Sequence, residues 1–277
     1  NIKAVVSQPD KPVGRNKVLT PPPVKILAQQ NHIPIFQPKT LKNFSELPDV
    51  DIYIVVAYGK IIPKQVLNRP KLGIVNVHPS LLPKYRGPSP VQSAIAHQEK
   101  ISGVSIMLLD EKMDHGPILA QKEIPIARNE TTSSFFRKVI EIGAPLLVES
   151  VNNFAAGKLQ PKEQNHKFAT YCQLLKKEDG KINWRNNAEE IHAKIRAYNP
   201  WPGTFTVINE KIFKIHDAKI SENKLPPGKI KIENKKLLIG TAGPALEILS
   251  IQPAGKQKMQ AKDFINGFHY LDGLIIS

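Results

Sequence analysis

Residues 73–87, GIVNVHPSLLPKYRG, restrict the possible folds of this chain more than any other stretch. The apolar run Gly73–Val77 predicts a buried strand. At its end an amide, Asn76, and an imidazole, His78, stand two positions apart. Alternation along a strand puts both on one face of a sheet. Pro79 and Pro83 then bracket a loop, PSLLP, whose backbone can line a ligand slot. Polar side chains at the carboxyl end of a strand, just before a loop, stand where open α/β sheets bind ligands. The spacing points to an active site.

The surroundings suit such a sheet. Strand-like runs are expected at Ile2–Val6, Asp51–Val56, Gly73–Val77 and Gly103–Leu109. Between them, Pro22 and Pro23 open VKILAQQ, Pro63 opens KQVLN and Pro90 opens VQSAIAH, as proline does in a first helical turn. Thr131 or Thr132 can cap a long helix carrying Phe135, Phe136, Val139 and Ile140. Strand alternating with helix predicts parallel βαβ units, and so an α/β domain with a Rossmann-like, mostly parallel sheet over residues 1–172. The polar segment 173–186 reads as a linker. Asn187, with Glu190 three residues on, starts a further helix. The short alternating runs that follow, such as FTVI, KIFKIHD, GKIKIE and ALEILSI, predict a small OB-like β-barrel over residues 187–277.

Composition narrows the function. No apolar run approaches the ~18 residues of a membrane span. A single cysteine, Cys172, leaves no internal disulfide, suits a cytoplasmic protein and reads as a small apolar filler. The eight histidines are dispersed and no cysteine pair exists, so no metal is expected. The net charge of +15 is spread over both halves, as in a folded body that meets a polyanion. A lysine-rich proteome is the bland alternative.

The second half of the site is expected from the strand Gly103–Asp110 and the turn Glu111–Gly116. An acidic residue there, Asp114, can be aimed back at a histidine on a neighbouring strand, raising its pKa and fixing its tautomer. Together, NVHPSLLPKYRG and LDEKMDHGPIL resemble the signature of the formyltetrahydrofolate-dependent formyltransferases. The segments QPDKPVGRNKVLTPPPVK (8–25), VVAYGKIIP (55–63), IRAYNPWPG (195–203) and LSIQPAGKQKM (249–259) resemble in particular the members that formylate initiator methionyl-tRNA.

That resemblance implies a catalytic triplet of Asn76, His78 and Asp114, and a folate-contacting loop of Ser80, Leu81, Leu82 and Pro83. It implies 10-formyltetrahydrofolate as formyl donor, initiator tRNA as partner and no membrane; a monomer is expected. The basic loop 8–25 holds Lys11, Arg15, Lys17 and Lys25 against Asp10, and its prolines and glycine are expected to prevent regular structure. By resemblance it grips the tRNA acceptor stem, with Arg15 as the key arginine. Lys229 and Lys231, alternating with isoleucines, are expected to face solvent and meet phosphates. Trp201 reads as a packing anchor at a domain junction.

Three departures stand out. Lys112 and His115 replace smaller residues beside Asp114, where they are expected to influence it. The family's first strand and helix have no counterpart after Asn1, so a longer native chain is expected, with this one folding poorly or inactive. The closing FHYLDGLIIS matches weakly. Two rival functions remain: a formyltransferase for a small amine, such as an amino-sugar nucleotide or glycinamide ribonucleotide, and a catalytically silent tRNA binder.

Overall fold

The structure, a computed structural model, describes residues 1–14, 16–42 and 44–276. It has two compact units. One comprises Asn1–His78, Ser105–Gln121 and Pro145–His166; the other comprises Pro79–Val104, Lys122–Ala144 and Lys167–Ser277.

The first unit begins with β1 (Val5–Val6), followed by β2 (Lys11–Val13) and β3 (Val18–Thr20). β2 and β3 pair as an antiparallel hairpin, Lys11 opposite Thr20 and Val13 opposite Val18. The expectation of an irregular loop is thus corrected. Gly14 and Lys17, with φ of 75° and 49°, supply the turn. Pro12 is tolerated because each strand of a two-stranded ribbon has an outer edge that needs no N–H donor. α1 (Pro23–Gln30) starts on its proline, and β4 (Ile35–Phe36) returns parallel to β1.

β5 (Tyr53–Val55), α2 (Lys64–Leu67) and β6 (Ile74–His78) repeat that pattern, with Tyr53 opposite Ile74 and Val55 opposite Asn76 in parallel register. The second is a βαβ unit expected from the alternation; in the first, β4 is a strand that the sequence reading did not anticipate. Leu41, Leu47, Val66 and Ile74 form the local core, with Val6, Tyr53 and Leu109 packed against it.

α3 (Pro90–Ala96) precedes β7 (Ile101–Leu108) and β8 (Ile118–Pro125), and the sheet order is β5-β6-β7-β8. β7 runs antiparallel to β6, so the sheet is mixed rather than mostly parallel. Residues 79–100 return the chain to the carboxyl end of β6 instead of crossing back over the sheet, and this reverses β7. α4 (Thr132–Ala155) starts where expected, with the Thr131 hydroxyl accepting the Ser134 N–H at 3.2 Å.

In the second unit the polar segment after Cys172 contributes Ile182 and Trp184, both 1% exposed, to the core. The Trp184 indole donates to Thr206 Oγ1 at 3.1 Å. α5 (Ala188–Ala197) is capped by Asn187, whose side chain accepts the Glu190 N–H at 2.8 Å. Six strands follow: β9 (Thr204–Ile208), β10 (Lys211–Lys224), β11 (Ile230–Glu233), β12 (Lys236–Ile239), β13 (Pro244–Pro253) and β14 (Met259–Gln260). They form one antiparallel sheet in the order β11-β12-β13-β10-β9, with β14 on β13. Among the described residues β9 and β11, the ends of this path, do not pair with each other. α6 (Ala261–Phe268) buries Phe264 against Phe213, edge to face at 5.9 Å. No helix among the described residues is long and apolar enough to cross a membrane.

Candidate active site

β6 lies between two strands, and its successive residues Ile74 and Val75, which point to opposite faces, are 2% and 0% exposed, so both faces are covered. Such a strand accepts a polar side chain only where that side chain has work or a partner. Asn76 stands opposite Met107 and His78 opposite Ser105. His78 and Ser105 are buried, while Asn76 is half-buried. Among the described residues the Asn76 amide has no hydrogen-bond partner, so its N–H groups are available to a bound molecule. Ser105 Oγ accepts from the Gln121 amide at 2.8 Å.

Asp114 comes from the turn between β7 and β8, closed by the Leu108 N–H on the Pro117 carbonyl at 2.9 Å. Its Oδ2 lies 3.6 Å from His78 Nδ1, both side chains being well covered. That is ion-pair rather than direct hydrogen-bond distance. Asp114 has φ 47°, a left-handed conformation that a short polar side chain tolerates. Gly116 has no such freedom to lose: a Cβ there would stand 2.2 Å from the Leu108 carbonyl oxygen.

Gln164 holds this turn. Its side chain, 5% exposed, donates to the Asp114 carbonyl at 3.0 Å and the Gly116 carbonyl at 2.7 Å. Sequence reasoning missed it, because nothing in the polar run PKEQNHKF marks one glutamine from the next.

Lys112 and His115 engage a different carboxylate. The Lys112 backbone N–H donates to Asp110 Oδ1 at 2.8 Å, and His115 Nδ1 lies 2.6 Å from Asp110 Oδ2. The His115 ring also stacks on His166 at 4.0 Å. Among the described residues no cluster of three or more His, Cys, Asp or Glu could hold a metal.

The structure brings His78 and Asp114 together within the first unit, with Asn76 two positions before His78 on β6. Ser80, Leu81, Leu82 and Pro83 belong to the second unit. There Ser80 is fully buried, donating its hydroxyl to the Lys84 carbonyl at 2.7 Å, and Leu82 is 4% exposed. Leu81 lies against Gly103, where an added Cβ would come within 2.5 Å of its Cδ2. Backbone groups and the half-buried Leu81 and Pro83 are what this loop can present.

Of the basic residues, Lys11 and Lys17 are exposed on the hairpin. Arg15 lies outside the described residues. Lys25 is withdrawn, with its amine 2.9 Å from both Asp10 oxygens. Lys229 donates to the Gly273 carbonyl at 2.6 Å, and Lys231 pairs with Glu233 at 2.6 Å. Ile230 faces the core as expected.

With the geometry in place, relatives are informative. Residues 1–151 match the family described as formyl transferase, and residues 174–269 match the formyl transferase C-terminal domain. The chain belongs to the formyl transferase family. It is 43% identical over 275 residues to the methionyl-tRNA formyltransferase of Koribacter versatilis, covering 97% of this chain and 88% of that one. It is 42% identical to that of Herpetosiphon aurantiacus, covering 96% and 90%. Among solved structures, the fold resembles an N-formyltransferase from Helicobacter canadensis in complex with folinic acid and dTDP-3-aminofucose. There the TM-score is 0.64 at 23% identity, over 82% of this chain and 81% of that one. HypX from Aquifex aeolicus, in complex with tetrahydrofolic acid, gives a TM-score of 0.62 at 22% identity, over 79% and 39%.

Proposed function

We propose that this chain transfers the formyl group of 10-formyltetrahydrofolate to the α-amino group of methionine esterified to initiator tRNA, in the cytoplasm and as a monomer. The observation that carries the reading is the pairing of His78 with Asp114, 3.6 Å between imidazole and carboxylate, on a strand that also carries Asn76. Relatives 40–43% identical over nearly the whole chain support the substrate pair.

Chemically, the amine attacks the formyl carbon and the carbonyl oxygen becomes an oxyanion. The unpartnered Asn76 amide and the His78 imidazole are the donors for that charge, and such preorganised donors usually give the largest catalytic term. Asp114 stabilises a positive imidazole by charge. Its carboxylate, 3.6 Å from the imidazole, is also able to take the proton the amine loses, directly or through water. Collapse of the intermediate breaks the bond from the formyl carbon to the folate nitrogen, which takes up a proton as tetrahydrofolate leaves.

In this reading, loop Ser80–Pro83 seats the folate with its backbone. Lys11, Arg15, Lys17, Lys229 and Lys231 meet tRNA, and the +15 charge supports a polyanionic partner. The domains are residues 1–172, Rossmann-like, and 187–277, OB-like, joined by 173–186. Two separate family matches and the antiparallel strands β9–β14 support that division.

The test supplies labelled 10-formyltetrahydrofolate to charged initiator tRNA, charged elongator tRNA and an amino-sugar nucleotide. Label on the initiator alone supports the reading. Label on the sugar, or none anywhere, refutes it.

A further inference from the structure

Trp201 is not the packing anchor its sequence context suggested. It is 57% exposed, whereas the other tryptophan, Trp184, is 1% exposed. Pro200 and Pro202 flank it, restricting the backbone on both sides. A rigidly held aromatic loses little entropy when something docks on it.

Trp201 forms a wall of a cavity of about 440 Å³ within the second unit. Phe136 and Ile140, four residues apart on α4, supply further apolar surface, and Ile140 is 65% exposed. Arg137, Gln92 and Ser133 also line it, and no acidic residue does. Among the described residues, the Trp201 indole N–H, the Gln92 amide and the Arg137 guanidinium have no hydrogen-bond or ion-pair partner. A flat apolar slot edged by uncommitted donors fits a planar heteroaromatic ring whose edge carries acceptors.

A neighbouring cavity of about 320 Å³ is lined by Arg128, Asn129, His192, Lys219 and Ile220. One stretch of chain contributes to both. The segment entering α4 gives Arg128 and Asn129 to one cavity and Thr132 and Ser133 to the other. α5 gives His192 to the second, and its Ala197 carbonyl accepts the Thr132 hydroxyl beside the first. From His192 to Ala197 is about 7.5 Å along the helix. One nucleotide spans that from its base to an adjoining phosphate. Arg128 has no partner among the described residues, whereas Lys219 is shared with Glu247 at 3.2 Å. Glu130, the nearest acid in the chain, is already neutralised by Lys138.

We infer that the Trp201 cavity is a stacking site for one unpaired base of an RNA substrate, with Arg128 beside it to meet the following phosphate. The inference rests on the reading that this chain acts on a tRNA and adds a second recognition point to it. Base–aromatic stacking tolerates any base, so the site contributes affinity rather than sequence choice.

Because Trp184 is buried, Trp201 reports on this site through intrinsic fluorescence. Charged initiator tRNA, and separately single-stranded oligoadenylate, are titrated into the full chain. Emission is expected to be quenched by both, and the quenching to vanish in Trp201→Phe. In formyl transfer, Trp201→Ala is expected to raise KM for tRNA about ten-fold, with kcat and the folate KM unchanged, while Trp201→Phe retains most of the affinity. A wild type that formylates tRNA while Trp201→Ala shows unchanged KM and emission never responds to RNA overturns the inference alone. A wild type quenched by oligoadenylate that formylates no tRNA refutes the enzymatic reading and leaves the stacking site standing. Emission that changes only with protein concentration means that a second copy covers the face, and that too overturns it.

Discussion

Gln164 gives the sharpest test of how the candidate site is held. Its amide nitrogen donates to two carbonyls, of Asp114 at 3.0 Å and of Gly116 at 2.7 Å, from a side chain 5% exposed. Replacing it with leucine removes both bonds at similar volume. Each bond contributes about 1 kcal/mol net, and each carbonyl left buried without a donor costs about 1–3 kcal/mol more. Relaxation of the turn toward water recovers part of that, so about 2–4 kcal/mol is the expected loss. The turn that carries Asp114 is then free to move while β6, with Asn76 and His78, stays in place. A displacement near 1 Å at a reacting group costs about 10²-fold in rate. Gln164→Leu is therefore expected to lower kcat by about 10–100-fold with folate KM within about two-fold, alongside a lower melting temperature. Gln164→Glu should be worse, because an ionised carboxylate would face two carbonyl oxygens. Pre-steady-state formyl transfer with labelled folate, read beside a thermal melt, makes the measurement. A Gln164→Leu enzyme with a lowered melting temperature but kcat within two-fold of wild type refutes the claim that this glutamine aims Asp114.

Three further outcomes concern other residues. Asn76→Ala is expected to reduce kcat by about 10²–10³-fold, as loss of one oxyanion donor does. Its melting temperature should be nearly unchanged, because the amide has no internal partner among the described residues; a large drop in melting temperature would make Asn76 structural instead. Gly116→Ala should destabilise by about 1–3 kcal/mol, since the added Cβ meets the Leu108 oxygen at 2.2 Å and backbone cannot step aside cheaply. A denaturant melt with an unmoved midpoint would contradict that. Burial pushes the Glu130 carboxyl up, but hydrogen bonds from Lys138 and Ser134 outweigh it and hold the group below its usual range. Its stabilisation is thus present above the unfolded carboxylate range and lost as pH falls through the lower folded value. Glu130→Gln should flatten the acid limb of the stability profile, and an unchanged limb would contradict the assignment.

What could be read in advance divides along physical lines. Asn76 and His78 were legible because an apolar run buried on both faces makes any polar residue in it conspicuous. The β5-α2-β6 unit, Asn187 and the proline-opened helices were legible because capping and proline effects act within a few residues. The orientation of β7 was not, since it depends on the path of residues 79–100 and not on any periodicity. The β2–β3 hairpin was missed because glycine and proline mark a turn and an irregular coil alike. Ile182 and Trp184 were hidden in a window whose average is polar, although alternation places both on one face, and the core receives them. Trp201 shows the reverse error: a large aromatic between prolines looks internal by composition, and only exposure tells otherwise.

The same division explains the site itself. Groups that react must be of particular chemical types, so the proposed triplet of Asn76, His78 and Asp114 stands out wherever the chain places it. Groups that aim them need only reach a backbone carbonyl, and many side chains can do that. Gln164 contacts Asp114 across fifty residues of sequence, through two carbonyls whose positions are set by a turn and not by a motif. Recognition of reacting atoms is therefore a local problem and their alignment a tertiary one.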